Sequence, residues 1–157
     1  KFMTDVISKE PLYPIETLVR LMEELPHFKE LEIEAIDIKP GTCLLKAEYD
    51  EKLVGNIETG LIHGGVITTL LDSAGGVAAF SVVPQGHSVA TLDLRIDYLT
   101  QAKPGKAIFG LAESYRKTRH VVFVRGYAYH ESPDDPIANF TASFMAGSVG
   151  FAPDAKQ

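Results

Sequence analysis

One carboxylate stands alone in a long uncharged stretch. Between Glu58 and Asp93 the only formally charged residue is Asp72. Around it Val66, Ile67, Leu70, Leu71, Ala74, Val77 and Ala78 recur at helical spacing. The other side of that helix carries Thr68, Thr69, Gly75, Gly76 and Ala79 instead of charges, so the helix is expected to be buried nearly all round. An isolated buried carboxylate is expensive unless it is paired or used. Two readings follow. Asp72 is a structural acid satisfied by backbone or an arginine, or it is a nucleophile or a general base to water. The helix opens at His63-Gly64-Gly65. Glycines admit close approach of a ligand, and the free N–H groups of a first turn suit a developing oxyanion. A tight loop with a structural His would look the same. The adjacent Gly75 and Gly76 inside the helix cost about 1 kcal/mol each against Ala, which implies close packing by a strand or space for a ligand.

The elements that must hold these groups can be read around them. Pro14 is expected to open a helix with Ile15, Leu18, Val19, Met22 and Leu25 on one face, ended by Pro26. Residues 31–49 read as a hairpin turning at Pro40-Gly41, and residues 50–62 as loop. After the central helix come four strand-like stretches, 88–100, 106–117, 121–131 and 137–148, joined by short turns. The first alternates, with Ala90, Leu92, Leu94, Ile96 and Tyr98 on one face and Thr91, Asp93, Arg95 and Asp97 on the other. The expectation is an α+β fold: one curved antiparallel meander around one long helix.

Composition narrows the classes. The 157 residues, 45 % hydrophobic and 23 % charged, suit one globular domain and exclude a disordered or fibrous chain. Fifteen Lys+Arg against 21 Asp+Glu leave a net charge of −6, the wrong sign for a generic nucleic-acid binder. A membrane span over 61–84 would have to bury Asp72 mid-bilayer, so no membrane association is expected. The first ten residues lack the apolar run of a signal peptide, and the single Cys43 can form no intrachain disulfide, so a cytoplasmic location is expected. Cys43 lies in an alternating strand context and reads as a small buried hydrophobe. No HExxH, Walker or GxGxxG pattern is present, and no metal or cofactor is expected. The turn Arg116-Lys117-Thr118-Arg119 is the densest positive patch; it is an anion site or simply a solvated hairpin tip.

The run His63-Gly-Gly-Val-Ile-Thr-Thr-Leu-Leu-Asp72-Ser-Ala-Gly-Gly resembles the signature of the hotdog-fold acyl-CoA thioesterases of the phenylacetate-pathway (PaaI-like) type, in the 4-hydroxybenzoyl-CoA thioesterase superfamily. The similarity continues through Val89–Leu99 and Ala102-Lys-Pro-Gly105, and more loosely through 137–146. It implies a hotdog domain over 31–150 of about six strands, preceded by a helical lead-in over 1–30. It implies hydrolysis of an acyl-CoA to free acid and CoA in a homodimer or a homotetramer, with active sites at the dimer interface. In that family the Asp72 position attacks the thioester carbonyl or activates water, and the Gly64 N–H polarises the carbonyl. Asn56 and Thr91 match the positions that place substrate and water. His63, Gly65, Gly76, Arg116, Lys117 and Arg119 are the further expected substrate contacts, the basic turn holding CoA phosphates. The competing readings are a thioester hydratase or dehydratase, which needs a His paired with an acid, and a non-enzymatic acyl-CoA binding module.

Overall fold

A computed structural model describes residues 7, 12 and 14–148. Most of residues 1–13 of the expected lead-in, and residues 149–150 at the end of the expected domain, lie outside that set. Helix α1 (Ile15–Glu24) starts after Pro14, which stands at the N-cap, and buries Leu18 and Met22 at i, i+4 spacing. Leu25, forced out of the helical region by the proline that follows, ends it. Pro26 does more than terminate: it is the first residue of a second helix, α2 (Pro26–Glu30), which buries Phe28. Strands β1 (Ile33–Lys39) and β2 (Thr42–Ala47) form the expected hairpin, with Gly41 at φ +81° in the turn.

Residues 50–62 depart from the expected loop. A single 3₁₀ turn, Glu51–Leu53, leads into a two-stranded ribbon of β3 (Val54–Asn56) and β4 (Leu61–Ile62). Strands of three and two residues are too short to leave a period in sequence. The ribbon delivers the chain to α3 (Gly64–Phe80), whose Leu70, Leu71, Ala74 and Ala78 are fully buried. In the single chain α3 is not buried all round: His63 and Gly64 are exposed, and Thr68, Thr69, Asp72, Ser73, Gly76 and Val77 are only half-buried.

Around α3 curl β1, β2, β5 (Ser88–Tyr98), β6 (Ile108–Lys117), β7 (Val121–Tyr129) and β8 (Pro136–Ser148), in the order β1-β2-β6-β7-β8-β5, all neighbours antiparallel. This is the hotdog architecture, α+β with six strands and one long helix. The simple meander holds only for β6-β7-β8; β5 does not pair with β6, which follows it, but crosses to the far edge beside β8. Tight curvature needs missing side chains: a Cβ on Gly126 would lie 1.9 Å from the Leu111 carbonyl oxygen and 2.6 Å from Phe140. At the other end of α3 the buried Ser81 hydroxyl accepts from Gly41 N–H (2.8 Å) and donates to the Ala78 carbonyl (2.8 Å), pinning the helix to the β1–β2 turn.

β5 carries one departure that matters for the site. Thr91 pairs with Phe144 and Asp93 with Ser143, so Leu92 is an extra residue, a bulge. The expected face therefore holds after the bulge, for Leu94, Ile96 and Tyr98, and is reversed before it, where Thr91 and not Ala90 shares that face. Val89 and Thr91 before the bulge, and Leu94, Ile96 and Tyr98 after it, all face α3, while Leu92 is 54 % exposed.

Candidate active site

The structure sorts the sequence-predicted residues into two groups on α3. The first gathers at its N-terminus. His63 is the N-cap, its Nδ1 accepting from Gly65 N–H at 2.9 Å. Val66 N–H goes to the His63 carbonyl at 2.9 Å. Among the described residues nothing accepts from the Gly64 N–H. The HGG pattern alone does not say which amide is open; the cap leaves it at Gly64. The ribbon brings Asn56 to the same end of the helix, since a Cβ on neighbouring Gly55 would sit 2.8 Å from the His63 Cα. Asn56 Oδ1 accepts from Glu58 N–H (3.0 Å) and Thr59 N–H (3.2 Å). That fixes the side chain and leaves its NH₂ group for a ligand or water.

Sequence reasoning missed Tyr98 in this group. Its hydroxyl donates to the Gly64 carbonyl at 2.9 Å and lies 2.9 Å from Thr68 Oγ1, which itself reaches the Gly64 carbonyl at 3.2 Å. The alternating pattern gives Tyr98 no distinction from Ile96 or Leu94, so no local signal could have found it. The effect is to clamp the first turn of α3 from the edge strand.

The second group lies mid-helix. Thr91 Oγ1 donates to Asp72 Oδ1 at 2.9 Å, a hydrogen bond to a charged acceptor that orients the carboxylate and leaves Oδ2 open. Both residues line an apolar cavity of about 420 Å³. Gly76 lines it as well. The paired glycines differ: a Cβ on Gly75 would lie 3.1 Å from Phe144 and 3.2 Å from Phe140, whereas on Gly76 it would meet only Phe144 at 3.6 Å. The close-packing expectation is met at Gly75, and the open space is at Gly76.

The two groups do not meet within one chain. Gly64 and Asp72 are eight residues apart, roughly 12 Å along the axis. The basic turn is elsewhere again. Lys117 Nζ bonds the Val82 carbonyl just past the C-terminal end of α3 (2.5 Å), where the helix dipole favours a cation. Arg116 and Arg119 beside it are exposed. Cys43 is buried, as expected; burial, together with the nearby Asp37 charge, pushes its thiol pKa far up and makes it unreactive. Among the described residues no helix is long and apolar enough to cross a membrane.

The family profile described as Thioesterase superfamily matches residues 59–137, from just before the HGG turn through the start of β8. The medium/long-chain acyl-CoA thioesterase YigI of Escherichia coli is 30 % identical over 137 residues, 78 % of this chain and 86 % of that one. A putative esterase of Halobacterium salinarum is 38 % identical over 76 residues, 46 % of this chain; the match spans half the length of that relative. Among solved structures, a Pseudomonas aeruginosa protein at 39 % identity superposes with a TM-score of 0.75, over 86 % of this chain and 98 % of its own. The phenylacetic acid degradation protein PaaI of Thermus thermophilus (22 % identity, TM-score 0.68, 77 % and 98 % covered) shares the fold. The chain belongs to the Thioesterase superfamily, and has its hotdog fold.

Proposed function

We propose that this protein is an acyl-CoA thioesterase whose active site is shared between two copies of the chain. The observation that carries the reading is the Thr91–Asp72 hydrogen bond at the wall of an otherwise apolar cavity. A carboxylate held by one oxygen presents the other to a water or to a thioester carbonyl. In the base route Asp72 takes a proton from water, the water oxygen forms the C–O bond, the C–S bond breaks, and the proton passes to the CoA sulfur. In the nucleophile route an Asp72 oxygen bonds the carbonyl carbon as the C–S bond breaks and CoA leaves as its thiolate. Water then opens the mixed anhydride, which restores the Asp72 carboxylate and frees the acid, one water proton passing to the CoA sulfur. Either way the carbonyl oxygen gains charge, and the unoccupied Gly64 N–H is the donor suited to it. Water is the only co-reactant, with no metal or cofactor.

The 12 Å gap supports the dimer. Antiparallel helices across a twofold axis would bring Gly64 and Asn56 of one copy to Asp72 and Thr91 of the other. The edge strand β5 offers the surface, with Leu92, Tyr98 and Leu99 about half exposed. A homodimer is the minimum unit, and two such dimers would make the tetramer. Arg116 and Arg119 are the proposed phosphate contacts, with Lys117 holding their turn to α3. The hydratase reading loses ground because His63 is spent on capping through Gly65 instead of pairing with an acid. The name of YigI supports medium or long acyl chains as substrate. The unpaired buried thiol of Cys43 and the lack of a membrane-crossing helix among the described residues fit a cytoplasmic enzyme.

The test is thiol release from acetyl-, hexanoyl-, decanoyl-, palmitoyl- and phenylacetyl-CoA, with Asp72→Asn as the control. Wild-type turnover that falls by orders of magnitude in folded, dimeric Asp72→Asn supports the mechanism. Substantial activity in that variant would sink it, and CoA binding without turnover by the wild type would leave only a binding module.

A further inference from the structure

We infer that the helix pair α1–α2 is part of the substrate site: its apolar face closes an acyl channel that starts at Asp72, and Gly76 sets how long a chain enters. The inference rests on the thioesterase reading and adds which part of this chain selects the acyl group. On α3 the cavity is lined by Asp72, Ser73, Gly76, Val77 and Phe80, spacings of i, i+1, i+4, i+5 and i+8 that make one stripe. The stripe runs away from the Gly64 end for roughly 12 Å. An extended hydrocarbon advances about 1.3 Å per carbon, so about nine or ten carbons fit along it. The facing wall is α1 and α2: Leu18, Leu21, Met22, Leu25 and Phe28.

Three observations point to an acyl chain as the occupant. The polar lining side chains are only Asp72, Ser73 and Thr91, and Asp72 with Thr91 is the pair aimed at the thioester. A thioester has that layout, one polar end on a long apolar body. Leu18, Met22 and Phe28 are packed into the core and fix the wall, whereas Leu21 and Leu25 on the rim are 40 % and 47 % exposed. Their uncovered apolar surface is what a bound chain would cover. Finally, Gly76 leaves room that its neighbour does not: a side chain there would enter the channel, since its Cβ meets nothing nearer than Phe144 at 3.6 Å.

The experiment compares kcat/KM for decanoyl-CoA and acetyl-CoA in four proteins: wild type, Gly76→Ala, Gly76→Leu, and the double variant Leu21→Ser with Leu25→Ser. Thermal melting and sedimentation are read on each. The expected result is a decanoyl-to-acetyl ratio that falls in steps from Gly76 to Ala to Leu, at least tenfold by Leu, and at least tenfold in the double variant. Both rim leucines are exposed enough that the double variant folds even if Gly76→Leu does not, and it then decides alone. A wild type that hydrolyses acyl-CoA with a ratio unmoved by these changes overturns the channel and leaves the thioesterase reading intact. A changed sedimentation state with an unchanged ratio overturns it too, by showing that a second copy covers the rim. A wild type that hydrolyses no acyl-CoA removes the thioesterase reading and the channel with it.

Discussion

Replacing Gly64 by proline deletes one hydrogen atom from the site with little else at stake. Gly64 is the first residue of α3, where a helix makes no use of the N–H and proline is favoured. The residue before it, His63, already sits at φ −60°, ψ 131°, the extended backbone that a following proline demands. A Cβ at position 64 lies 3.5 Å from the Tyr98 hydroxyl, an ordinary contact. The fold should therefore survive, and the stiffer unfolded chain should change stability by no more than about 1 kcal/mol, in the favourable direction. Catalysis should not survive. Loss of one oxyanion donor costs about 10²–10³ in kcat, the equivalent of about 3–4 kcal/mol. Gly64→Ala separates the N–H from the added carbon, because it keeps the donor and gains the Cβ; it should stay within about tenfold of wild type. The measurement is steady-state thiol release alongside thermal melts of wild type, Gly64→Ala and Gly64→Pro. A folded Gly64→Pro enzyme as active as Gly64→Ala would refute the polarising role of this amide.

Mixing Gly64→Pro with Asp72→Ala subunits tests the shared site: in a differently tagged, purified heterodimer one site carries both lesions and the other none, so about half of wild-type activity per dimer should return. Verified heterodimers as inactive as their parents would mean that each chain builds its own site. Arg116→Ala and Arg119→Ala should each raise KM for acyl-CoA by about fivefold, a contact of about 1 kcal/mol, with little change in kcat or in KM for acyl-pantetheine; Lys117→Ala should instead lower the melting temperature. Equal KM changes for both substrates would remove the phosphate role. Gly75→Ala should destabilise by about 1–3 kcal/mol through overpacking on Phe140 and Phe144, and Gly76→Ala should stabilise by about 0.5–1 kcal/mol by helix propensity; denaturant melts that rank them the other way would overturn the packing argument.

The central helix and its acid were legible because a 17-residue run that keeps one charge has few folded explanations. Thr91 was legible only in part. Its residue type marked it, yet the alternation of Ala90, Leu92, Leu94, Ile96 and Tyr98 passes unbroken through the bulge and sets Thr91 on the face opposite Leu94, Ile96 and Tyr98, whereas all four share one face. An exposed edge lets Leu92 turn outward without a core to refuse it, so pattern carries no trace of the slip. Sheet order was illegible for a related reason: the partner of β5 is chosen by curvature around α3, not by the turn that follows β5. The capping role of His63 did have a signal, an acceptor side chain two residues before the Gly65 amide at a helix entry. What α1 faces across the cavity had none, because its amphipathic face is local and the α3 and β5 residues opposite it lie more than forty residues away.

The slip at Leu92 also bears on how β5 tolerates change. A strand whose two halves face one helix through a single extra residue behaves as two short modules with separate duties, 88–91 for the carboxylate and 94–98 for the helix entry. A substitution in one half leaves the contact made by the other half in place. Removing Leu92 would leave a single residue, Asp93, between Thr91 and Leu94, so a regular strand would still set Thr91 on Asp72 and Tyr98 on Gly64; what would go is the local bend and added twist of a bulge. The extra residue therefore acts on the bend of β5 more than on which side chains meet α3, and it leaves Leu92 on the open side of the edge strand.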